Sequence, residues 1–320
     1  MEFLYFLEGL RNPVTDAIFS LITHGGEELV FLVVAILFFW CVNKREGYYI
    51  LIVGLVGTVI NQAAKLIFRI ERPWIKDPSF TVVGDAKIEA TGYSFPSGHT
   101  QNATGTFGSI ARFSKSLPVR IISIALIVLI AFSRMYLGVH TPLDVVVSLL
   151  VGAALVFLLY PVFETEERFD KFMPYVVVVS SLLAVGLILF VFLLPTEGID
   201  EQNLHSGMKN ASTLLGCTVG LAPVYFIDRK YIKFSTDGKW YSQIFKLVLG
   251  LGVILLIKEG LSSPLVLLFG NEFVARGVRY LLIVLFAGCV WPLTFKFWER
   301  LRIPFLDKLF AKEKVNEISE

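Results

Sequence analysis

The stretch VVVSLLVGAALVFLLYPVF, residues 145–163, decides which kind of fold this chain adopts. It contains no charged residue, and a helix of this length crosses the hydrocarbon layer of a bilayer. Several other runs along the chain reach a similar length and composition. Only 18% of the 320 residues are charged, whereas a soluble domain carries about 25%. We therefore predict an all-α, polytopic transmembrane bundle of about nine spans.

The apolar runs set the expected order of the helices. The predicted spans are residues 26–43, 47–68, 97–113, 118–135, 141–161, 172–194, 207–227, 243–261 and 276–298. The third span contains Gln101, Asn102 and several hydroxyl side chains, so we expect it to pack against other helices rather than face lipid. Residues 3–24 alternate apolar and polar at helical spacing, which is typical of helices that lie in the membrane interface.

Basic residues orient the predicted bundle. They cluster in five connections: Lys44 and Arg45; Arg112, Lys115 and Arg120; Arg168 and Lys171; Arg229, Lys230, Lys233 and Lys239; and the tail after Arg300. The positive-inside rule puts these connections in the cytoplasm, with the amino end outside and the carboxyl end inside. Residues 65–96 are also basic, yet the alternation of spans puts them outside. Cations on that side of a membrane need a reason, so this segment is the first indication of a functional site.

The first candidate block is KLIFRIERP, residues 65–73. Lys65 and Arg72 are seven residues apart, close to two helical turns, so both cations project from one helix face. Pro73 then ends the helix. Taken alone, the block also fits snorkelling cations that anchor a helix end.

The second block is GYSFPSGHTQ, residues 92–101. Ser97 is a typical helix cap, and the free N–H groups of the helix start that it caps form an anion site. Gly98 lets a ligand approach the backbone closely, and His99 adds a titratable group. Taken alone, the block also fits a turn with an interfacial histidine.

The third block is SRMYLGVHTPLD, residues 133–144. Arg134 closes one span, and His140 and Asp144 open the next. Because these two residues are four apart at a helix start, Asp144 can accept the ring proton of His140 and make the other nitrogen a nucleophile. Taken alone, the pair also fits a structural hydrogen bond at a helix end.

The three blocks together indicate phosphoryl transfer. Lys65, Arg72 and Arg134 suit the recognition of phosphate oxygens. The sequence shows no cluster of acids or cysteines with the spacing of a binuclear metal site, so the cations must neutralise the developing charge. We therefore predict a reaction that proceeds through a phosphohistidine and needs neither a metal nor another cofactor.

In order, K-(six residues)-R-P, P-S-G-H and S-R-(five residues)-H-(three residues)-D resemble the signature of the type 2 phosphatidic acid phosphatase superfamily, over roughly residues 25–162. The resemblance implies that His140 is the nucleophile, oriented by Asp144, and that His99 protonates the leaving oxygen. It implies phosphoryl-oxygen contacts from Lys65, Arg72, Ser97, Gly98 and Arg134. The expected domains are interfacial helices (1–24), a catalytic transmembrane core (25–165), additional transmembrane helices (166–300) and a basic cytoplasmic tail (301–320).

The leading hypothesis is an integral-membrane phosphatase that hydrolyses a lipid phosphate or diphosphate. The nine-span count also fits a phosphatase for a soluble sugar phosphate, similar to glucose-6-phosphatase, and a phospholipid-binding protein or a transporter are further alternatives. We expect the bacterial plasma membrane, with the site on its extracytoplasmic face. The expected partners are the substrate and membrane lipids, with no nucleic acid. The additional helices are expected either to stabilise a homodimer or to shape a lipid access path.

Overall fold

The computed structural model describes residues 1–302, in which all regular elements are helices and no strand is present. The helices are α1 (Glu2–Gly9), α2 (Pro13–Thr23), α3 (Glu28–Leu37), α4 (Lys44–Phe68), α5 (Pro73–Lys76), α6 (Ala86–Glu89), α7 (Gly98–Phe113), α8 (Leu117–Tyr136), α9 (Pro142–Phe163), α10 (Glu166–Leu193), α11 (Glu201–Ile227), α12 (Trp240–Gly260), α13 (Ser262–Phe269), α14 (Glu272–Leu285) and α15 (Phe295–Arg300). Three π-helical turns follow α3, α11 and α14. The all-α prediction is confirmed.

Among the described residues, six helices are long and apolar enough to cross a membrane, and a seventh is added if a bent pair counts as one span. The bent pair joins residues 13–26 to residues 28–42 at an angle of 53°. The predicted count of nine is not confirmed. One reason is α7, which has only 16 residues, whereas a span needs about 20. The predicted tail, residues 301–320, lies outside the described residues from 303 onward.

Helix α4 is the centre of the bundle. In the most apolar stretch of this helix, 61% is buried inside the protein, whereas only 22% of the corresponding stretch of α9 is buried. Most of α9 is therefore available to lipid. It packs against α3, α7, α9, α10 and α11. Asn43 caps its start by accepting from the backbone N–H of Glu46 at 3.1 Å. At its other end Arg69 adopts φ 50°, a left-handed conformation that stops the helix and turns the chain toward Arg72.

Helix α7 is held between α4 and α9 by close backbone approach. A Cβ at Gly57 of α4 would lie 2.6 Å from the amide nitrogen of Gln101, and one at Gly152 of α9 would lie 2.6 Å from the Thr104 side chain. Small residues allow such approach in a membrane, where packing rather than water exclusion drives helix association. The packing sets the start of α7 beside the start of α9, where the Ser97 N–H donates to the Asp144 carbonyl at 3.2 Å.

The amino-terminal helices cover the same end of the bundle. Asn12 caps α2, and the side chains of Thr15 and Asp16 hydrogen-bond to the hydroxyl of Tyr136 at 2.6 and 2.7 Å. On the other side of α4, α11 packs against both α4 and α14. Elements from three parts of the chain thus surround the ends of α4, α8 and α9.

Candidate active site

The three blocks singled out in the sequence meet at one cavity of about 200 Å³. Its walls include Lys65, Arg72, Gly98, His99, Arg134 and His140. Ser97 and Asp144 are not among the residues that line it; both lie behind the wall and hold lining residues in place. The structure therefore brings all eight predicted site residues into one region, six of them at the cavity itself.

Arg72 joins the second and third blocks. Its Nε donates to the Gly92 carbonyl at 3.1 Å, and Nη2 donates to the Thr91 carbonyl at 2.8 Å. Its Nη1 lies 3.0 Å from both the Val139 carbonyl and the His140 Nε2. A guanidinium is a planar group of fixed donors, so these contacts set the orientation of its fork at the cavity wall.

His140 is held in one tautomer by its two neighbours. An arginine can only donate, so the His140 Nε2 that contacts Arg72 accepts and carries a lone pair. The proton is then on Nδ1, which lies 3.4 Å from Asp144 Oδ2. Burial, reinforced by the charges of Arg72 and Arg134, holds the pKa of His140 well below its usual value. The lowered pKa favours the neutral imidazole, whose Nε2 lone pair lies at the cavity wall.

The Asp144 carboxylate is fixed by the local geometry of the helix start. Oδ2 accepts from the Thr141 N–H at 2.8 Å, and the Thr141 hydroxyl accepts from the Asp144 N–H at 3.4 Å, which makes a capping box. Ser94 also donates its hydroxyl to Oδ2, at 2.6 Å. Ser94 lies two residues before Pro96 in the second block and was not among the predicted site residues. These bonds fix the position of the carboxylate beside His140.

The start of α7 presents His99 to the cavity. Ser97 accepts from the Thr100 N–H at 3.4 Å and from the Thr100 hydroxyl at 2.9 Å, so its side chain caps the helix as predicted. Gly98 and His99 follow in the first turn of α7, where the positive end of the helix dipole favours an anion. His99 Nε2 is buried and has no hydrogen-bond partner among the described residues. A buried ring nitrogen without a partner is available to a ligand.

Lys65 and Arg134 complete a group of buried cations. The Lys65 ammonium donates to the Tyr93 carbonyl, and Arg134 Nη1 donates to the Thr23 hydroxyl at 2.6 Å. Across the described residues, no three His, Cys, Asp or Glu side chains come together as a metal site. Lys65, Arg72 and Arg134 bring three positive charges to the cavity, and the start of α7 adds the positive end of a helix dipole.

Several residues that line the cavity lie outside the three sequence blocks. Asn61 lies one helical turn before Lys65, and Asn210 and Thr213 come from α11, more than 60 residues after the last block. Helical periodicity in α4 could have pointed to Asn61. Nothing local in the sequence indicates that α11 reaches the site.

Two histidines and three cations at one cavity of a helical membrane protein are typical of a membrane-bound phosphatase. Residues 45–168 match the sequence profile of the PAP2 superfamily, and residues 208–301 match that of the "PAP2 superfamily phosphatase, transmembrane extension". The chain is 30% identical over 178 residues to phosphatidylglycerophosphatase B of Bacillus subtilis, covering 51% of this chain and 82% of that relative. The chain therefore belongs to the PAP2 superfamily and is an integral-membrane phosphatase of that class.

Two other relatives show the range of this similarity. Lipid phosphate phosphatase delta of Arabidopsis thaliana is 25% identical over 268 residues, covering 79% of this chain. This chain spans only 63% of that relative's length. Undecaprenyl-diphosphatase BcrC of B. subtilis is 29% identical over 154 residues, covering 47% of this chain and 76% of the relative. The resemblance seen in the three sequence blocks is confirmed.

Proposed function

We propose that this protein hydrolyses a lipid phosphate or diphosphate through a phosphohistidine. One observation carries the proposal: the lone pair of His140 Nε2 is set at the cavity by Arg72 at 3.0 Å on one side and by Asp144 behind the ring. The same cavity is lined by His99, whose Nε2 lacks a partner among the described residues. A nucleophile, an acid and three cations are the groups that phosphoryl transfer needs.

The proposed reaction has two steps. In the first, His140 Nε2 forms a bond to phosphorus while the bond to the leaving oxygen breaks, and His99 gives that oxygen a proton. In the second, water attacks phosphorus, His99 takes its proton, and the bond to His140 breaks to release phosphate. Lys65, Arg72 and Arg134 hold the phosphoryl oxygens, and Gly98 leaves the helix start accessible to them. Asp144 stabilises the imidazolium character that develops on His140.

The membrane setting and the relatives support a lipid substrate. The relatives named above are called lipid phosphate, phosphatidylglycerol phosphate and undecaprenyl diphosphate phosphatases. The sugar-phosphate alternative rested on a count of nine spans that is not confirmed. We further propose that the site faces the extracytoplasmic side, because Lys44, Arg112 and Arg229 lie at the opposite ends of their helices.

The direct test uses the full chain purified in detergent with EDTA present. Phosphate release is measured from phosphatidic acid, farnesyl diphosphate and glucose 6-phosphate. We expect turnover of at least one lipid, little turnover of the sugar phosphate, and an acid-labile phosphoenzyme in a single turnover. Replacing His140 by Ala removes the nucleophile, so kcat/KM is expected to fall by at least about 10⁴-fold.

His205→Ala is the matched control. His205 is an exposed histidine of α11 that pairs with Glu272 at 3.5 Å, outside the catalytic cavity. This variant is expected to keep wild-type kcat/KM. Substantial turnover by His140→Ala refutes the mechanism, and turnover of glucose 6-phosphate alone refutes the lipid substrate.

A further inference from the structure

Helix α11 turns a polar stripe toward the catalytic end of α4. Asn203, Ser206, Asn210 and Thr213 follow at intervals of three, four and three residues, which puts them on one helix face. Asn210 and Thr213 line the catalytic cavity. Asn203, Ser206 and Asn210 line a smaller adjoining pocket of about 30 Å³, together with Lys65. Polar side chains are costly inside a membrane protein and usually mark a functional path.

Close packing on both sides fixes the position of α11. A Cβ at Gly207 would lie 2.9 Å from the Leu66 side chain of α4, one residue beyond Lys65. A Cβ at Gly216 would lie 2.2 Å from the Gly277 carbonyl of α14, so only glycine fits there. The helix is therefore clamped between α4 and α14, and its stripe is a rigid part of the cavity wall.

The polar side chains of this wall differ in how many of their hydrogen-bonding atoms already have a partner. The Thr213 hydroxyl donates to the Lys209 carbonyl at 3.0 Å and accepts from Arg276 Nε at 2.7 Å, which fixes its rotamer and leaves one lone pair that can accept from a ligand. The Asn210 side chain lines both the catalytic cavity and the adjoining pocket. Asn61, opposite on α4, is 2% exposed, and its Oδ1 has no partner among the residues that the structure describes. A buried amide group without a partner is expected to be satisfied by a ligand. We call Asn61, Asn210 and Thr213 the polar wall.

The chemistry of the polar wall differs from that of the phosphate side of the cavity. Carboxamides and a hydroxyl both donate and accept hydrogen bonds and carry no net charge. The cations that line the cavity are Lys65, Arg72 and Arg134, while Glu27 and Glu28 add carboxylates elsewhere on its surface. A second phosphoryl group would need further cations. A hydroxyl or an ammonium group of a ligand needs uncharged hydrogen-bonding partners, which the polar wall supplies.

We propose that the polar wall binds hydroxyl or amino groups on the first two carbons after the phosphate-bearing carbon, so that the transmembrane extension selects lipid monophosphates with a polar backbone. This inference rests on the proposed lipid phosphatase activity and names the substrate class of the same site. It assigns Asn210 and Thr213 as specificity-determining residues, although they lie outside the three sequence blocks.

The test compares three substrates with the full-length protein in detergent. Sphinganine 1-phosphate carries an amine on the carbon next to its phosphate-bearing carbon and a hydroxyl on the carbon after that. Octadecyl phosphate has the same chain length without these groups, and farnesyl diphosphate carries a second phosphoryl group. We expect the highest kcat/KM for sphinganine 1-phosphate. In Thr213→Val and Asn210→Leu, the ratio of its kcat/KM to that of octadecyl phosphate is expected to fall about tenfold, as the loss of one hydrogen bond predicts.

Two control variants separate recognition from folding. Thr213→Ser keeps the hydroxyl and is expected to restore the wild-type ratio. Ser212→Ala changes the adjacent buried hydroxyl, which does not line the cavity, and is expected to leave the ratio unchanged. An unchanged ratio in Thr213→Val and Asn210→Leu, or a preference for farnesyl diphosphate, overturns this inference alone. Failure to hydrolyse any of the three lipids overturns the proposed function as well.

Discussion

The two ends of the bundle bury the same kinds of charged residue in different ways. At the site end, Asp144 and Lys65 are 1% and 7% exposed; at the far end, where α4 begins, Asp228 and Lys246 are each 1% exposed. Asp228 accepts from the Lys44 ammonium at 2.8 Å and from the Phe234 N–H at 3.2 Å. It therefore ties the turn after α11 to the start of α4.

Lys246 has an equally structural environment. Its ammonium donates to the Trp40 carbonyl at 2.7 Å and lies 4.3 Å from the centre of the Phe295 ring. Lys65 also donates to a backbone carbonyl, but it borders a cavity that it shares with Arg72 and Arg134. Burial of a charge therefore does not identify a site in this protein. The feature that marks the site is the convergence of several charges on one cavity.

The largest expected difference between the two ends comes from the aspartates. Asp144→Asn removes the acceptor that holds the proton on His140 Nδ1, so Nε2 loses its lone pair in the favoured tautomer. We expect kcat/KM to fall about 10⁴-fold, as for other oriented histidines. Asp228→Asn, its counterpart at the far end, is expected to keep kcat/KM within about twofold in folded protein. Equal losses of kcat/KM in Asp144→Asn and Asp228→Asn would contradict the difference between the site end and the far end.

Replacing the lysines of the two ends is expected to change kcat/KM less than replacing the aspartates. Lys65→Met removes one cation that stabilises charge in the transition state, and we expect kcat/KM to fall about 10²–10³-fold. Lys246→Met removes a cation that faces a carbonyl and an aromatic ring, and its kcat/KM is expected to stay near wild type. Phosphate release from a lipid substrate measures both. A strong loss of kcat/KM in Lys246→Met would show that the far end takes part in catalysis.

The smallest expected effect is on stability. Asp228→Asn weakens the charged hydrogen bond from Lys44, and the free energy of unfolding is expected to fall by about 2 kcal/mol. The loss is limited because the Lys44 side chain is 21% exposed and can be rehydrated. Thermal unfolding in detergent checks this. A midpoint equal to that of wild type would mean that the pair contributes nothing to the attachment of the extension.

Local spacing was sufficient to predict much of the site. Lys65 with Arg72, and His140 with Asp144, are separated by intervals that put side chains on one helix face or in one turn. Charge alternation along the chain put the three blocks at the same membrane face. The structure confirms that these blocks meet, and the family comparison confirms the class of enzyme. The roles assigned to the individual residues stay predictions until the variants are measured.

Other features depend on contacts that spacing does not fix. Ser94 reaches Asp144 across 50 residues of sequence, and Arg72 reaches His140 across 68. The count of nine spans is not confirmed, because only six helices of the described residues, or seven with the bent pair, are long and apolar enough to cross a membrane. Thr213 belongs to the site only because α11 packs against α4 through Gly207.

The sequence by itself determined that this chain is a membrane-embedded helical protein, and it predicted a histidine, a carboxylate and three cations as site residues, because apolar length and short-range helical geometry are local properties. The tertiary structure alone decided which hydrogen bonds set the His140 tautomer and which helix supplies the polar wall. Those contacts join residues far apart in the chain, and their positions follow from how the helices pack.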